Sequence, residues 1–148
     1  MNAFQNYPLL KGQQTNLYKC VLENGFHWVS NKGFLGLIHP EGVYDDPKGQ
    51  PLRKEIYPRL KFHFQFKNEL SLFAEVHHET IYGIQIYEGN KSEIDFLSIN
   101  NLFHPSTIDG SRILSSNSSK AFISLFLTRS RIGLRVYFTV VWVRTSGV

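Results

Sequence analysis

At 148 residues and 42% hydrophobic content, the chain is of a size to form one domain with its own core. A single cysteine, Cys20, excludes an internal disulfide and suits a reducing cytoplasm, while MNAFQNYPLLKG lacks the charged-then-apolar pattern of a signal peptide. Arg129, Arg131 and Arg135 break the only run that approaches the roughly 18 apolar residues of a membrane span, so a soluble intracellular protein is expected.

In chain order, residues 1–14 are polar and irregular, with Pro8 and Gly12 as breakers. Asn16 is placed to cap a helix running to about Asn24, with Leu17 and Val21 on one face and Gly25 at the C-terminal cap. Cys20 in that helix reads as a small core residue, and Phe26 and Trp28 as packing in the connection that follows. Phe34-Leu35-Gly36-Leu37-Ile38 is too short for a helix and reads as a buried strand ending at His39-Pro40. A loop dense in turn residues carries Glu41, Gly42, Asp45, Asp46, Pro47 and Gly49. Pro51 suits the first position of a helix whose inner stripe is Leu52, Ile56 and Leu60, and Pro58 is expected to kink or shorten it, so that it bends or re-forms around Tyr57. Phe62, Phe64 and Phe66 alternate with His63 and Gln65, the period of a second strand. Asn68 to Val76 is helical or looped. Ile81 to Tyr87 alternates as a third strand, Glu88-Gly89-Asn90 turns the chain, Ile94 to Ile99 is a weaker strand, and Asn100-Asn101 a turn.

These elements carry a resemblance. HPEGVYDDPKG-x-x-LR-x-x-x-YPRL-x-x-HFQF-x-NEL-x-LF-x-EV resembles a block in large bacterial DNA methyltransferases of restriction and phage-defence systems, similar to the gamma-class enzymes that methylate adenine at its exocyclic amine. The likeness runs from Gln14-Thr15-Asn16-Leu17-Tyr18-Lys19-Cys20 through Asn101-Leu102-Phe103-His104-Pro105-Ser106-Thr107-Ile108-Asp109. It implies an α/β fold: the later strands and intervening helix of a Rossmann-like class I methyltransferase sheet. Such enzymes hold S-adenosylmethionine with a Gly-rich turn and present the base to an Asn-Pro-Pro-aromatic motif. Neither is present, for there is no Gly-x-Gly and Asn6-Tyr7-Pro8 is not Asn-Pro-Pro-Tyr. The expectation is an internal fragment of the catalytic domain, residues 1–109, with no cofactor of its own, no catalytic residue, no metal and no membrane contact. DNA and the missing remainder of the enzyme are the implied partners.

Asp45, Asp46, Lys48 and Arg53 form the most polar loop of the central unit and, by the resemblance, follow the fifth strand of the methyltransferase sheet near its substrate edge. They are the candidates for DNA contact, weighed against a capped, solvated loop in which Asp45 or Asp46 stabilises the turn. Glu41 with Asp46-Pro47-Lys48 mimics a nuclease pattern, which Pro47 disfavours because the acid and lysine need a central strand. His77-His78-Glu79 lacks a third ligand at metal spacing. His39, before Pro40 at a strand end, is weighed between a place near the substrate and a hydrogen-bonded structural role, the latter favoured.

The net charge of +4 hides a break at Asp109. Residues 1–109 carry twelve acidic and ten basic residues, and residues 110–148 carry six basic residues and no acid. Residues 122–127 and 134–143 would pass as two strands. The tail reads as a phosphate-contacting basic hairpin, as an ordinary edge hairpin, or as translation in a shifted frame, which the simultaneous loss of pattern and acids favours. The first of these supports an alternative function, a small non-enzymatic DNA-binding module.

Overall fold

The computed structural model describes residues 6–109 and 142–144. Helix α1 spans Leu17–Trp28 and strand β1 Phe34–Pro40. A single turn α2, Gly42–Asp45, and helix α3, Gln50–Ile56, lead to β2, Leu60–Lys67. Then come β3, Ile81–Glu88, β4, Leu97–Leu102, the turn α4, Ser106–Asp109, and β5, Trp142–Arg144. The sheet order is β4-β2-β3-β1-β5. Strand β3 is antiparallel to both β1 and β2, β5 is antiparallel to β1, and β4 is parallel to β2. The fold is α/β with a mixed sheet, and its strand–helix–strand unit is split: β1 and β2 run the same way, but β3 lies between them.

Two apolar layers sandwich the sheet, and alternation assigns each residue to one of them. Leu35 and Leu37 of β1 and Tyr87 of β3 face Cys20 and Leu22 of α1, Val43 of α2, and Leu52 and Ile56 of α3. Ile38, Phe64, Phe66, Tyr82, Ile84 and Leu102 pack on the opposite face with Ile108 of α4. Leu60 and Phe62 lie two residues apart yet join different layers, because a bulge at Lys61 lets Leu60 pair with Tyr87 and Phe62 with Ile86. A second bulge sets Asn100 and Asn101 between the Phe64–Ile99 and Phe66–Leu102 pairs. Asn101 takes φ 59°, a left-handed conformation that asparagine tolerates. The extra residue returns Leu102 to the face of Ile99, so the expected Asn-Asn turn is a kink within β4, and the strand runs three residues beyond Ile99.

Helix α1 also runs further than expected. Gly25 is not its cap but an interior residue, where a Cβ would stand 2.6 Å from Leu35 Cδ2. The glycine lets helix and sheet approach at that point. Asn16 is the N-cap by position, without a side-chain cap bond. Trp28 is largely exposed, whereas Phe26 packs edge-on against Tyr87 with the Arg59 guanidinium 4.9 Å from its ring. Of the two effects expected of Pro58, shortening holds and kinking does not: α3 stops at Ile56, and Leu60, expected on its inner stripe, already belongs to β2. The strand expected over 122–127, and 134–141 of the second, lie outside the described residues. Among the described residues no helix is long and apolar enough to cross a membrane.

Candidate functional site

Beyond the end of β1 the chain turns polar, and the residues that meet there come from every central strand. Glu41, the first residue past Pro40, is buried with its carboxylate laid back over β3. The backbone of Gly83 makes room for it, since a Cβ at that position would collide with both Glu41 Oε1 and the Gln85 amide. His63 Nε2 lies 3.1 Å from Glu41 Oε1 and 3.0 Å from Oε2, and Gln85 Nε2 donates to Oε1 at 3.0 Å. Gln65 Nε2 stands 3.5 Å from Oε2. When Nε2 carries the ring's hydrogen toward the carboxylate, Nδ1 is the acceptor. That nitrogen is 2.9 Å from Ser98 Oγ on β4, directly across the sheet from His63.

A second polar chain backs the first. His39, on the same face as Gln85, donates from Nδ1 to the Pro40 carbonyl at 2.8 Å and accepts at Nε2 from the Tyr87 hydroxyl at 3.2 Å. Tyr18 of α1 stacks on its ring with centroids 5.5 Å apart. Complete burial lowers the pKa of His39 to about 4, so the ring is neutral near pH 7. Burial likewise raises Tyr87 and Tyr44, keeping both phenols protonated. Tyr44 meets His63 edge-on at 5.2 Å, while its hydroxyl, like Gln85 Oε1, is buried without a well-formed hydrogen bond. The Tyr87 hydroxyl remains within electrostatic reach of Tyr44. Such unsatisfied atoms beside a carboxylate and an imidazole mark the polar heart of the molecule.

The loop candidates divide. Asp46 Oδ2 pairs at 2.6 Å with Lys19, a buried lysine of α1 that also donates to Gln13 Oε1. The Lys19 ammonium holds the Asp46 carboxyl below its usual range, helped by the Lys48 backbone N–H on Oδ1. Arg53 donates to the carbonyls of Asp46 at 2.6 Å and Val43 at 3.3 Å, closing the loop on itself. Asp45 and the Lys48 side chain are exposed on its rim. The structure therefore gives Asp46 and Arg53 internal duties and leaves Asp45 and Lys48 facing solvent. Glu41 and Asp46 do not act as one acidic pair, since each is held by a different partner. His77 and His78 are exposed with Glu79, and among the described residues no group of three or more His, Cys, Asp or Glu could hold a metal.

His63, Gln85 and Ser98 are not among the sequence candidates, and Glu41 enters only through the disfavoured nuclease pattern, although a signal existed. The period of β2 and β3 puts His63, Gln65 and Gln85 on the face that also carries Leu37 and Tyr87, where a helix layer covers the sheet. Polar side chains under such a layer must find one another, and Gly83 on that face marks where a neighbour comes close. Compared with known proteins, the chain matches no family model, no curated protein and no solved structure.

Proposed function

We propose that this chain is the later part of the catalytic domain of a bacterial DNA adenine methyltransferase from a restriction or phage-defence system, and that it does not methylate DNA alone. The observation that carries the reading is the split unit of β1, α3, β2 and β3. Two parallel strands are joined through a helix, an antiparallel strand is seated between them, and a polar loop stands at the C-terminal end of β1. Ligands of open α/β sheets bind at that end of the strands. The motif block from His39 to Val76 lies on this unit and its β2–β3 connection.

The intact enzyme would transfer a methyl group from S-adenosylmethionine to an adenine swung out of the duplex, because its amine is unreachable inside the stack. The residues described here do not fit that cofactor. The turn after β1 is closed by the buried Glu41 carboxylate and its three side-chain partners, and among the described residues no Gly-rich turn links a strand to a helix. The contribution of this part is architectural: Lys19, Asp46 and Arg53 fix the loop that carries the exposed Asp45 and Lys48.

The alternative of an independent DNA-binding module rests on the basic tail, of which residues 110–141 and 145–148 lie outside the described residues; the rest of the chain adds little to it. Lys19, Arg59, Lys61, Lys67 and Lys91 each pair with a carboxylate of the chain, which lowers their availability to phosphates. Co-expression with a separate polypeptide bearing a Gly-rich turn and an Asn-Pro-Pro-aromatic motif from such an enzyme tests the proposal. Adenine methylation that needs both pieces is expected. Saturable S-adenosylmethionine binding by the purified chain alone, at micromolar concentration in calorimetry, would overturn it.

A further inference from the structure

Glu41, His63 and Ser98 form an ordered relay that the methyltransferase reading does not use. The carboxylate is buried and fixed by Gln85 and by the absence of a side chain at Gly83. It holds one nitrogen of His63, whose other nitrogen stands 2.9 Å from Ser98 Oγ. The parts occur in the sequence that polarity requires: an anion out of solvent, a largely shielded imidazole, and an exposed hydroxyl at the sheet edge. Hydrogen-bond reach between nucleophile and base, with the base oriented by a third group, is the general geometry of an activated serine. Here Nε2 faces the acid and Nδ1 the serine. We propose that Ser98 is a nucleophile activated by His63, with Glu41 as the positioning residue, and that it accepts acyl groups from small carboxylic esters.

Ser98 Oγ forms a bond to the ester carbonyl carbon as its proton passes to His63 Nδ1. The resulting imidazolium is stabilised by Glu41, and its proton leaves with the departing alcohol. Water, deprotonated by the same nitrogen, then attacks the acyl-serine, releases the acid and restores the hydroxyl. Asn100 acts against this sequence. Its Oδ1 lies 3.2 Å from Ser98 Oγ, and the serine has a single hydrogen to direct either to Asn100 or to His63. Because Ser98 is on an exposed edge strand, the substrates are esters that need no deep pocket.

A fluorophosphonate carrying a reporter tests the proposal on the full chain, with hydrolysis of p-nitrophenyl acetate as a second readout. The probe is expected to modify Ser98, identified by peptide mass, and to leave Ser98→Ala unlabelled. His63→Gln should label about a hundredfold more slowly, the scale of a lost general base. Asn100→Ala should label several-fold faster than the wild type, because the competing acceptor is gone. Should His63→Gln or Glu41→Gln unfold, as circular dichroism would reveal, the comparison of wild type, Ser98→Ala and Asn100→Ala still decides, since both altered residues are exposed. Equal labelling of wild type and Ser98→Ala, or none of either, would overturn the proposal and leave the relay a structural network.

Discussion

Acid should unfold this protein earlier than its carboxylates alone would dictate, and His39 is the reason. The ring is fully buried between Tyr18 and Tyr87, and burial lowers its pKa from 6.5 to about 4. The unfolded chain therefore binds a proton at His39 over a window in which the folded chain does not. Stability from this group is present above pH 6.5 and is lost as pH falls toward 4. The depressed value corresponds to roughly 3 kcal/mol by pH 4, of which about 2 kcal/mol is lost between pH 7 and pH 5. Three carboxylates bear on the measurement. Burial raises the pKa of Glu23, so its contribution has the opposite sign and grows as pH falls. The hydrogen bond from Lys19 lowers Asp46, and Glu55 is raised by burial but lowered on balance by Lys91 and Arg59. Both are lowered from ordinary values of 3.8 and 4.5, so the stability from these two is lost mainly below the pH 7 to 5 interval of the measurement. Urea unfolding of wild type and His39→Asn at pH 7, 6 and 5 measures the effect. The variant should be less stable at pH 7, having lost the Tyr87 hydrogen bond, but its stability should fall by about 2 kcal/mol less on going to pH 5. Equal slopes would refute the assignment of the acid sensitivity to His39.

Gly83→Ala should destabilise by about 1–3 kcal/mol, since the new methyl displaces Glu41 from its bonds with His63 and Gln85; the nitrogen chemical shifts of His63 report the displacement. Gly25→Ala should also lower the urea midpoint, because contact with Leu35 outweighs the roughly 1 kcal/mol gained in helix propensity. Asn68→Ala should cost about 2–3 kcal/mol, as its buried amide makes three bonds to the backbone of Phe73 and Val76. Amide hydrogen exchange over residues 69–80 should accelerate in that variant more than exchange in β1.

Period and punctuation were enough to find most elements. Phe62, Phe64 and Phe66 alternate cleanly because β2 packs against an apolar layer on that face, and Ile81 to Tyr87 does so for the same reason. The boundaries that failed share a cause. Gly25 and Asn100-Asn101 are residues whose local preference is to end an element, yet each serves a longer-range contact. Gly25 lets α1 approach Leu35, and Asn101 adopts a positive φ that keeps Leu102 in the core. Local propensity states what a residue permits, and packing decides which permission is used.

The site was harder to read, because its members are far apart in the chain and polar residues were sought where loops are polar. Asp45, Asp46, Lys48 and Arg53 drew attention as a dense run, but a dense run satisfies itself locally, as the closure of Asp46 by Lys48 and Arg53 illustrates. Glu41, His63 and Gln85 are single polar residues among apolar neighbours, and each buried one needs a partner from another strand. The sheet order decides which partners meet. Only because β3 lies between β1 and β2 do Gly83 and Gln85 come under the carboxylate that leaves β1, with His63 beside them and Ser98 one strand further. With β1 and β2 adjacent, as a simple parallel unit would have them, the same residues would not form this cluster. The inserted antiparallel strand is thus both the feature on which the methyltransferase reading rests and the reason that the Glu41–His63 pair exists.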